Sequence, residues 1–548
     1  MMKKVFVSVC VLAFICMSLI AEEAPETDVK RKVLIPAFDA MDIDFMNIGF
    51  GVELGVKEES FYNANNIRMD FVTSHFSLVA DLAMANDQKY APSRVMIPAG
   101  SFMGHYFFMN EGGLNFNLWN FSADLGRFRI YDVVDSPYSL FINSLGHSTN
   151  TLNIKYDGPR FLYQTQWIEM NSRNSVSSPV WNEYHWRKEN QPDGLAGPID
   201  YDDLHSPDDD NIKDIGFPDR GANYKIYAVK VKDWRLGFLD AAVYTGRSFD
   251  LEYFLNPIPQ YFIQYVKVTP GRPWTTDSNE NNMFGLFWDI DKKDLWSAYA
   301  QVLVDDFSLE FLKFLYDGFA DNPWKAAWAL GGRLHTPYGR FGFHHGGALK
   351  YTFEPVGSPE GRYSGDDVRT AYGYTYYPEA QYYDDESTGD LVSILIEDNM
   401  IGYKHGENNI AFQVDYQNKF SGFLVTSELE FSLTGNSSLA NPWQDYTARS
   451  KIPSGERGTR LLDDAELEKR LEFRVNASRH IGPWGFYAAA ALGGIFNKLK
   501  LKPADITMNS SPDSDSGVAD SIMIWKASQD HEFIFRFSIG VRYTLGVL

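Results

Sequence analysis

Three short motifs in the sequence place chemically active side chains side by side. His344 and His345 are adjacent, residues 146–148 read Gly-His-Ser, and residues 208–210 are three consecutive aspartates. Neighbouring side chains of a strand point to opposite faces, so neither the histidine pair nor the His-Ser pair is suited to act jointly. The aspartate run lacks the alternate spacing and central glycine of a calcium loop. We interpret His344 and His345 as residues on opposite faces of a strand, one facing the lumen of a barrel and the other a membrane interface. We interpret the Gly-His-Ser motif as ordinary strand residues and the aspartate run as a solvated acidic loop.

No complete catalytic motif occurs elsewhere in the chain. The sequence contains no Walker phosphate loop, no dinucleotide-binding fingerprint and no His-Glu-x-x-His zinc helix. We therefore expect a protein that is not an enzyme, with no catalytic residue, no bound metal and no cofactor.

An aromatic and acidic cluster lies between residues 372 and 386. It consists of Tyr372, Tyr374, Tyr376, Tyr377, Tyr382, Tyr383, Asp384, Asp385 and Glu386. Tyrosine combines an apolar ring face with a polar hydroxyl, and with nearby carboxylates it suits a sugar ring, which has apolar C–H faces and many hydroxyls. We predict that Tyr376, Tyr377, Tyr382 and Tyr383 bind a glycan. The alternative is that they belong to the aromatic girdle of a membrane barrel.

The segments around these side chains alternate with a period of two. In the last segment, the odd-numbered residues from Phe533 to Val547 are apolar, whereas the even-numbered residues include Arg536 and Arg542. Similar alternation recurs at residues 161–167, 227–232, 410–417, 423–433 and 471–478. This pattern predicts strands with one apolar and one polar face. In the last strand we expect the odd-numbered residues to face lipid.

Strand length and aromatic placement favour a membrane barrel over a soluble sandwich. The strands are near ten residues long and carry aromatics at their ends. We predict an all-β, antiparallel transmembrane β-barrel of roughly 16–18 strands, at about 30 residues per strand. Long polar outer loops are expected at residues 188–223, 354–390, 435–460 and 501–530, and a short helix at 461–470.

Composition excludes several classes of protein. The chain has 548 residues, of which 15% are aromatic and 44% hydrophobic, and its mean hydropathy is −0.30. The negative mean hydropathy excludes a bundle of membrane-spanning helices, and the aromatic content excludes a disordered chain. The formal net charge of −22 argues against nucleic-acid binding, which needs a basic surface.

The first 21 residues are predicted to be a secretory signal peptide. Lys3 and Lys4 precede an apolar run that ends at Ala21, and acidic residues follow. We expect cleavage after Ala21 and one barrel domain over residues 22–548; an uncleaved anchor or a lipid on Cys16 are the alternatives. Because Cys10 and Cys16 both lie in this segment, the mature chain would have no disulfide and no thiol. The expected location is the bacterial outer membrane.

Two segments of the chain resemble a known family. Residues 282–290 read Asn-Met-Phe-Gly-Leu-Phe-Trp-Asp-Ile, and residues 299–307 read Tyr-Ala-Gln-Val-Leu-Val-Asp-Asp-Phe. They resemble the central motif of the Wzi-like capsule-assembly outer-membrane proteins, an Asn-x-x-x-Gly strand followed by a Tyr-Gly-Gln-x-x-x-Asp-Glu-Phe-like strand. Here Ala300 replaces the glycine and Asp306 the glutamate.

Other segments extend this resemblance loosely over residues 100–435. They are residues 139–143 with the strands of 151–170, and residues 330–334 with 349–352. The resemblance implies a barrel that helps to retain surface polysaccharide at the outer membrane, and it assigns no binding residue.

Three functions therefore compete at this point. The first is a non-enzymatic barrel associated with capsule attachment or assembly. The second is a porin or solute-selective channel, and the third, an outer-membrane lipase, has no supporting constellation. A lumen filled by bulky groups favours the first, and an open lumen lined by opposed charges favours the second. The expected partners are outer-membrane lipid, an extracellular polysaccharide, and the barrel-assembly machinery during biogenesis.

Overall fold

A computed structural model shows the fold. It describes residues 43–57, 60–86, 100–102, 105–171, 219–267, 280–293, 295–305, 324–353, 373–377, 381–383, 391–437, 460–503 and 523–546. The predicted signal peptide and the acidic run at 208–210 lie outside the described residues, as do most of the predicted long loops.

The strands and helices follow one another along the chain. In order they are β1 (Ile43–Lys57), β2 (Ser60–Thr73), β3 (Phe76–Ala85), β4 (Gly100–Phe102), β5 (His105–Leu118), β6 (Phe121–Arg129), β7 (Ser148–Asp157), β8 (Phe161–Asn171), β9 (Arg220–Val231), β10 (Trp234–Thr245), α1 (Leu251–Leu255), α2 (Gln260–Lys267), β11 (Glu280–Asp291), β12 (Trp296–Asp305), β13 (Ala326–Thr336), β14 (Gly339–Ala348), β15 (Gln381–Tyr383), β16 (Leu391–Ser393), α3 (Ile396–Asn399), β17 (Asn409–Phe420), β18 (Phe423–Thr434), β19 (Glu468–Ile481), β20 (Trp484–Phe496), β21 (Leu499–Pro503), β22 (Met523–Ala527) and β23 (His531–Gly546).

The sheet closes on itself as an antiparallel barrel. Each long strand pairs with the next one in sequence, and β1 pairs with β23 from Asn47 opposite Gly546 to Lys57 opposite Arg536. This gives 18 barrel strands, which confirms the predicted class and the upper end of the predicted range. The short β4 extends β5, whereas β15–β16 and β21–β22 form separate hairpins. Closure leaves no unpaired sheet edge, as a membrane requires of a spanning sheet.

The alternating pattern sorts side chains between the two faces as predicted. In β23, Phe533, Ile539 and Leu545 are exposed on the outside, whereas Ile534 and Ser538 are buried on the inside. Exposed apolar side chains also occupy the outer faces of β17, β18 and β19. None of the helices in the described part of the chain is long and apolar enough to cross a membrane.

The two ends of the barrel differ in their connections. The turns after β2, β5, β7, β9, β11, β13, β17 and β19 are short and lie at one end together with both chain ends. All of the long connections lie at the opposite end, which in membrane barrels faces the outside of the cell.

Aromatic side chains on the outer face of the barrel cluster near the short turns, as in the aromatic girdle of a membrane barrel. They form the pairs Trp234–Trp288, Phe341–Tyr416 and Trp484–Tyr543.

The helix predicted over residues 461–470 is wrong. Residues 461–467 form bends and β19 begins at Glu468. Asp463 and Asp464 instead form ion pairs with Lys350, at 3.2 and 2.8 Å. The local propensity of this stretch therefore yields to long-range contacts and to strand pairing.

Candidate functional site: the plugged lumen

Three inward-folded segments fill one side of the barrel interior. Residues 130–147, between β6 and β7, and residues 373–377 and 394–408, between β14 and β17, all start from the long-loop end. We call these three segments the plug. Their apolar side chains pack against the inner faces of β8–β14 and β17 in one buried cluster, in which Tyr138, Phe141, Tyr374 and Tyr403 are fully buried.

Asp132 and Gln301 hold the first plug segment in place. One carboxylate oxygen of Asp132 accepts hydrogen bonds from the backbone N–H groups of Phe141 and Ile142, at 2.9 and 3.3 Å. The Gln301 amide on β12 donates to the same oxygen at 3.0 Å, and its carbonyl accepts from the Leu140 N–H at 2.9 Å. The other Asp132 oxygen accepts from the Tyr224 hydroxyl on β9 at 2.7 Å. Buried polar groups of the plug are thus satisfied by the wall, which fixes its position.

A second polar chain joins the plug to three strands. Ser136 Oγ donates to the Tyr299 hydroxyl at 2.7 Å, and that hydroxyl lies 2.8 Å from His344 Nδ1. His344 Nε2 lies 2.7 Å from an Asp415 carboxylate oxygen on β17. The serine is separated from the histidine by a tyrosine, so the geometry lacks the direct nucleophile–base contact of a hydrolase. This series of hydrogen bonds anchors the first plug segment to β12, β14 and β17.

The adjacent histidines face opposite sides, as predicted. His344 is fully buried in the lumen wall. His345 faces outward, accepts a hydrogen bond from Trp328 Nε1 at 3.0 Å and stacks on the Phe412 ring with centroids 4.4 Å apart. The described residues contain no group of three or more His, Cys, Asp or Glu side chains arranged to hold a metal.

The wall makes room for the plug through two glycines. A Cβ at Gly285 would lie 2.9 Å from the Phe141 ring, and a Cβ at Gly346 would lie 2.7 Å from Tyr138 Cβ. Both contacts are closer than side chains tolerate. A larger residue at Gly346 would therefore push the plug off the wall, whereas one at Gly285 would clash with the Val302 carbonyl of β12 as well as with Phe141.

The segments that resemble the Wzi-like family meet at this contact. Residues 139–143 are the centre of the plug, and Gly285, Tyr299 and Gln301 come from the resembling 282–307 block. Asn282 of the same block faces outward and bonds to Gln264 of α2. In this chain, Gly285, Tyr299 and Gln301 of that block therefore lie at the contact with the plug.

A charged cluster holds the third plug segment against β18 and β19. Glu430 accepts from Lys404 at 2.7 Å and from His405 at 2.9 Å, and it also pairs with Arg474. Burial is the main reason that the pKa of His405 is lowered, with Lys404 acting in the same direction and Glu430 opposing. The neutral ring is therefore the form that the fold favours.

Glu397 in α3 lies at the edge of this cluster. Its carboxylate is 3.6 Å from Arg470. Burial alone would raise the pKa of Glu397, but the charges of Arg470 and Lys404 hold it below its ordinary value. The segment is therefore held by ionised carboxylates.

The structure places the predicted glycan-binding tyrosines in two settings. Tyr376 and Tyr377 are 7% exposed and belong to the plug cluster, where the Tyr376 carbonyl accepts from the buried Arg220 at 3.1 Å. The backbones of Tyr382 and Tyr383 belong to β15 and pair with β16. The glycan-binding role of all four stays a prediction.

The plug anchors were only partly accessible to sequence reasoning. Tyr299 and Gln301 lie in the 282–307 block that resembles the Wzi-like family. That resemblance indicated a family but did not indicate that these residues hold a plug. Asp132 lies more than 160 residues from its partner Gln301, and no local pattern marks it.

The wall away from the plug is lined by partly exposed charges. Arg68 pairs with Asp70 at 3.0 Å and with Glu111 at 2.6 Å, and these side chains keep roughly a fifth to a quarter of their surface in solvent. On β23, across β1 from this group, the buried Nε atoms of Arg536 and Arg542 have no hydrogen-bond partner among the described residues. The partial exposure of Arg68, Asp70 and Glu111 shows that this side of the lumen retains contact with water.

The fold and site together define a plugged, antiparallel outer-membrane-type β-barrel. No protein-family model and no curated protein sequence matches the chain. Among solved structures, the chain loosely resembles Wzi from Escherichia coli, an outer-membrane protein involved in group 1 capsule assembly and a carbohydrate-binding β-barrel. The match covers 91% of this chain and 83% of Wzi, at 10% identity and a TM-score of 0.45.

Two proteins from Pseudomonas aeruginosa match about as well. OccD3 from Pseudomonas aeruginosa matches over 96% of this chain and 99% of its own, at 8% identity and a TM-score of 0.42. OprD from the same organism matches over 92% and 95%, at 7% identity and a TM-score of 0.40. At these identities and TM-scores the likenesses do not assign a function.

Proposed function

We propose that this chain is an outer-membrane barrel, without enzyme activity, that takes part in attaching or assembling a surface polysaccharide. The observation that carries the proposal is the plug, whose central residues 139–143 and whose anchors Tyr299 and Gln301 lie in segments that resemble the Wzi-like family. A plug fixed by buried hydrogen bonds is costly to displace, which suits a barrel used as a scaffold better than one used for free diffusion. The long loops at the outward end supply the surface that would meet the polymer.

Retention of polysaccharide on cells tests the proposal. Replacing Tyr376, Tyr377, Tyr382 and Tyr383 with alanine is expected to lower retention, because weak stacking contacts must act together. Since Tyr376 and Tyr377 are packed in the plug, a Tyr382→Ala, Tyr383→Ala variant is made in parallel, with Tyr376→Phe, Tyr377→Phe as the ring-preserving control. Heat-modifiable gel mobility verifies that each barrel is folded. Normal retention in a folded variant with all four alanines would contradict the role of the cluster.

A solute-selective channel is the second candidate. The partly exposed charges of the wall away from the plug favour it, since a water-contacting surface with both signs of charge can pass polar solutes. Conductance of the full barrel in planar bilayers separates the two functions. We expect little conductance from the plugged protein; small-solute passage at porin-like rates would replace the first proposal by the second.

A further inference from the structure

The segment between β10 and β11 packs on the outside of the barrel. Leu239, Ala241 and Val243 of β10 face the plug, whereas Ala242 and Tyr244 on the opposite face pack against Tyr253 and Ile263 of the helices. We call residues 246–267, which contain α1 and α2, the external cover. It lies at the long-loop end of the wall formed by β8–β11.

The external cover hides polar side chains that point away from the lumen. Asn223, Lys225 and Asp240 face outward on β9 and β10, yet each is at most 1% exposed. Lys225 Nζ donates to the carbonyls of Asn256 and Ile258, and Asp240 accepts from the backbone N–H of Gln260. On the outer face of a membrane barrel an uncovered lysine would cost about 2–4 kcal/mol near the midplane.

The cover leaves few backbone donors unsatisfied between its helices. The Asn256 N–H donates to the Glu252 carbonyl at 3.1 Å, and the Ile258 N–H donates to the Asn256 side chain at 3.3 Å. Residues 257 and 259 are prolines, which have no N–H. Non-helical backbone is tolerated at membrane depth only when its polar groups are satisfied within the protein.

The charges of the cover are also paired internally. Lys267 binds Asp250 at 2.6 Å, and Arg247 binds Asp250 at 2.6 Å and Glu280 at 2.7 Å. Two bases and two acids thus neutralise one another on the side that meets the barrel. Paired charges are the form in which ionisable groups persist in an apolar environment.

The outer surface of the cover is almost wholly apolar. Its exposed large side chains, each at least 37% accessible, are Phe249, Leu251, Leu255, Ile258, Tyr261, Phe262, Tyr265 and Val266. Glu252 is the one exposed charged residue between 246 and 267. A cover that faced water would carry polar residues on this side, and so large an apolar patch marks a contact surface.

This surface continues the apolar outer wall of the barrel. Val229, Leu236 and Phe161 are exposed on the same wall, nearer to the short turns, and the cover takes over where the wall becomes polar. We propose that the external cover lies in the membrane, where its apolar outer surface contacts the acyl chains of the leaflet at the long-loop end. The interaction is one of apolar side chains with hydrocarbon, as for amphipathic helices that lie along an interface.

Spin labelling of single cysteines tests this assignment. In a full chain carrying Cys10→Ser and Cys16→Ser, labels at Phe262→Cys and Tyr265→Cys are compared in phospholipid vesicles with Leu236→Cys on the wall and Asn476→Cys in the lumen. We expect the ratio of oxygen to nickel-chelate collision rates at 262 and 265 to match that at 236 and to exceed that at 476. A ratio like that at 476 overturns the proposal. Dipolar broadening that disappears on dilution with unlabelled protein overturns it in favour of a second copy.

A measurement without substitution guards against variants that fail to fold. Vesicles containing a phospholipid with a photoreactive group near the end of its acyl chain are irradiated with the unaltered protein, and cross-linked peptides are mapped. Cross-links within residues 246–267 are expected; their absence, with cross-links present at Leu236 and Phe161, refutes the assignment. Neither readout depends on polysaccharide retention, so failure here is distinguishable from failure of the proposed function.

Discussion

At the scale of single residues, the plug depends on a few polar side chains that each satisfy several partners. Gln301 both donates to Asp132 and accepts from the Leu140 N–H. Losing Gln301 leaves the buried Leu140 N–H without this partner, which costs about 1–3 kcal/mol, and removes one of the donors to the Asp132 carboxylate. Gln301, a single residue of the barrel wall, therefore helps to fix the position of the plug.

Gln301→Leu is expected to loosen residues 130–147 without opening the barrel. Protease cleavage within that segment should become faster, and bilayer conductance should rise, whereas heat-modifiable mobility stays unchanged. Gln417→Leu on β17, a half-buried glutamine that faces the same lumen nearer to the short turns, is the matched control. Equal effects of the two variants would contradict the anchoring role of Gln301.

His405 makes the third plug segment sensitive to acid. Its pKa is lowered in the fold, chiefly by burial, so the unfolded ring binds a proton more readily than the folded one. The stability contributed by the neutral ring is present above the ordinary pKa of about 6.5 and is lost as the pH falls below it. Glu397, whose pKa is also lowered, extends the loss to lower pH.

Hydrogen exchange of residues 394–408 measures this effect. Exchange, corrected for its intrinsic pH dependence, is expected to be faster at about pH 5.5 than at about pH 7.5. His405→Gln should remove most of the difference, and His480→Gln on the exposed part of β19 should leave it intact. An unchanged pH dependence in His405→Gln would exclude this histidine as the cause.

At the scale of elements, the register of each strand decides which residues meet lipid. Phe537 and Ser538 are neighbours on β23 but lie on opposite faces, with Ser538 buried inside. Phe537→Arg is expected to impair folding more than Ser538→Arg, since a charge near the midplane of the lipid face costs about 2–4 kcal/mol. Heat-modifiable gel mobility of the two variants is the measurement, and equal impairment would contradict this register.

The first 21 residues remain a predicted signal peptide. The motivation is the Lys3-Lys4 start followed by the apolar run. Mass spectrometry of the protein from the cell envelope is expected to find a chain that begins at Glu22. An intact Met1 or a lipid on Cys16 would refute the prediction.

At the scale of the whole molecule, one seam closes the barrel. Val52 of β1 lies directly opposite Val541 of β23, and directly opposed residues have Cβ atoms about 4.5–5.5 Å apart. A Val52→Cys, Val541→Cys pair is therefore expected to cross-link on oxidation and to link the two ends of the chain. Val52→Cys with Phe537→Cys, which lies opposite Val56, is the control and should cross-link far less; the reverse result would mean a different closing register.

The class of fold could be predicted from the amino-acid sequence alone. Period-two alternation, as in residues 533–547 and 423–433, marked strands and their outer faces, because side-chain direction in a strand depends only on position along it. Cysteine placement and composition bounded the chemistry. The opposite orientations of His344 and His345 also followed from local geometry.

The segments that fill the barrel and those that cover its outer wall depend on contacts between residues far apart in the sequence. Asp132 and Gln301, or Ser136 and Tyr299, are far apart in sequence, and no local pattern pairs them. The external cover could not be predicted from the sequence either. Its apolar side chains continue the apolar outer wall of the barrel, and their spacing along the chain does not indicate this position. Long-range pairing also overrode the helix predicted at 461–470, since contacts made across the barrel outweigh the small propensities of single residues.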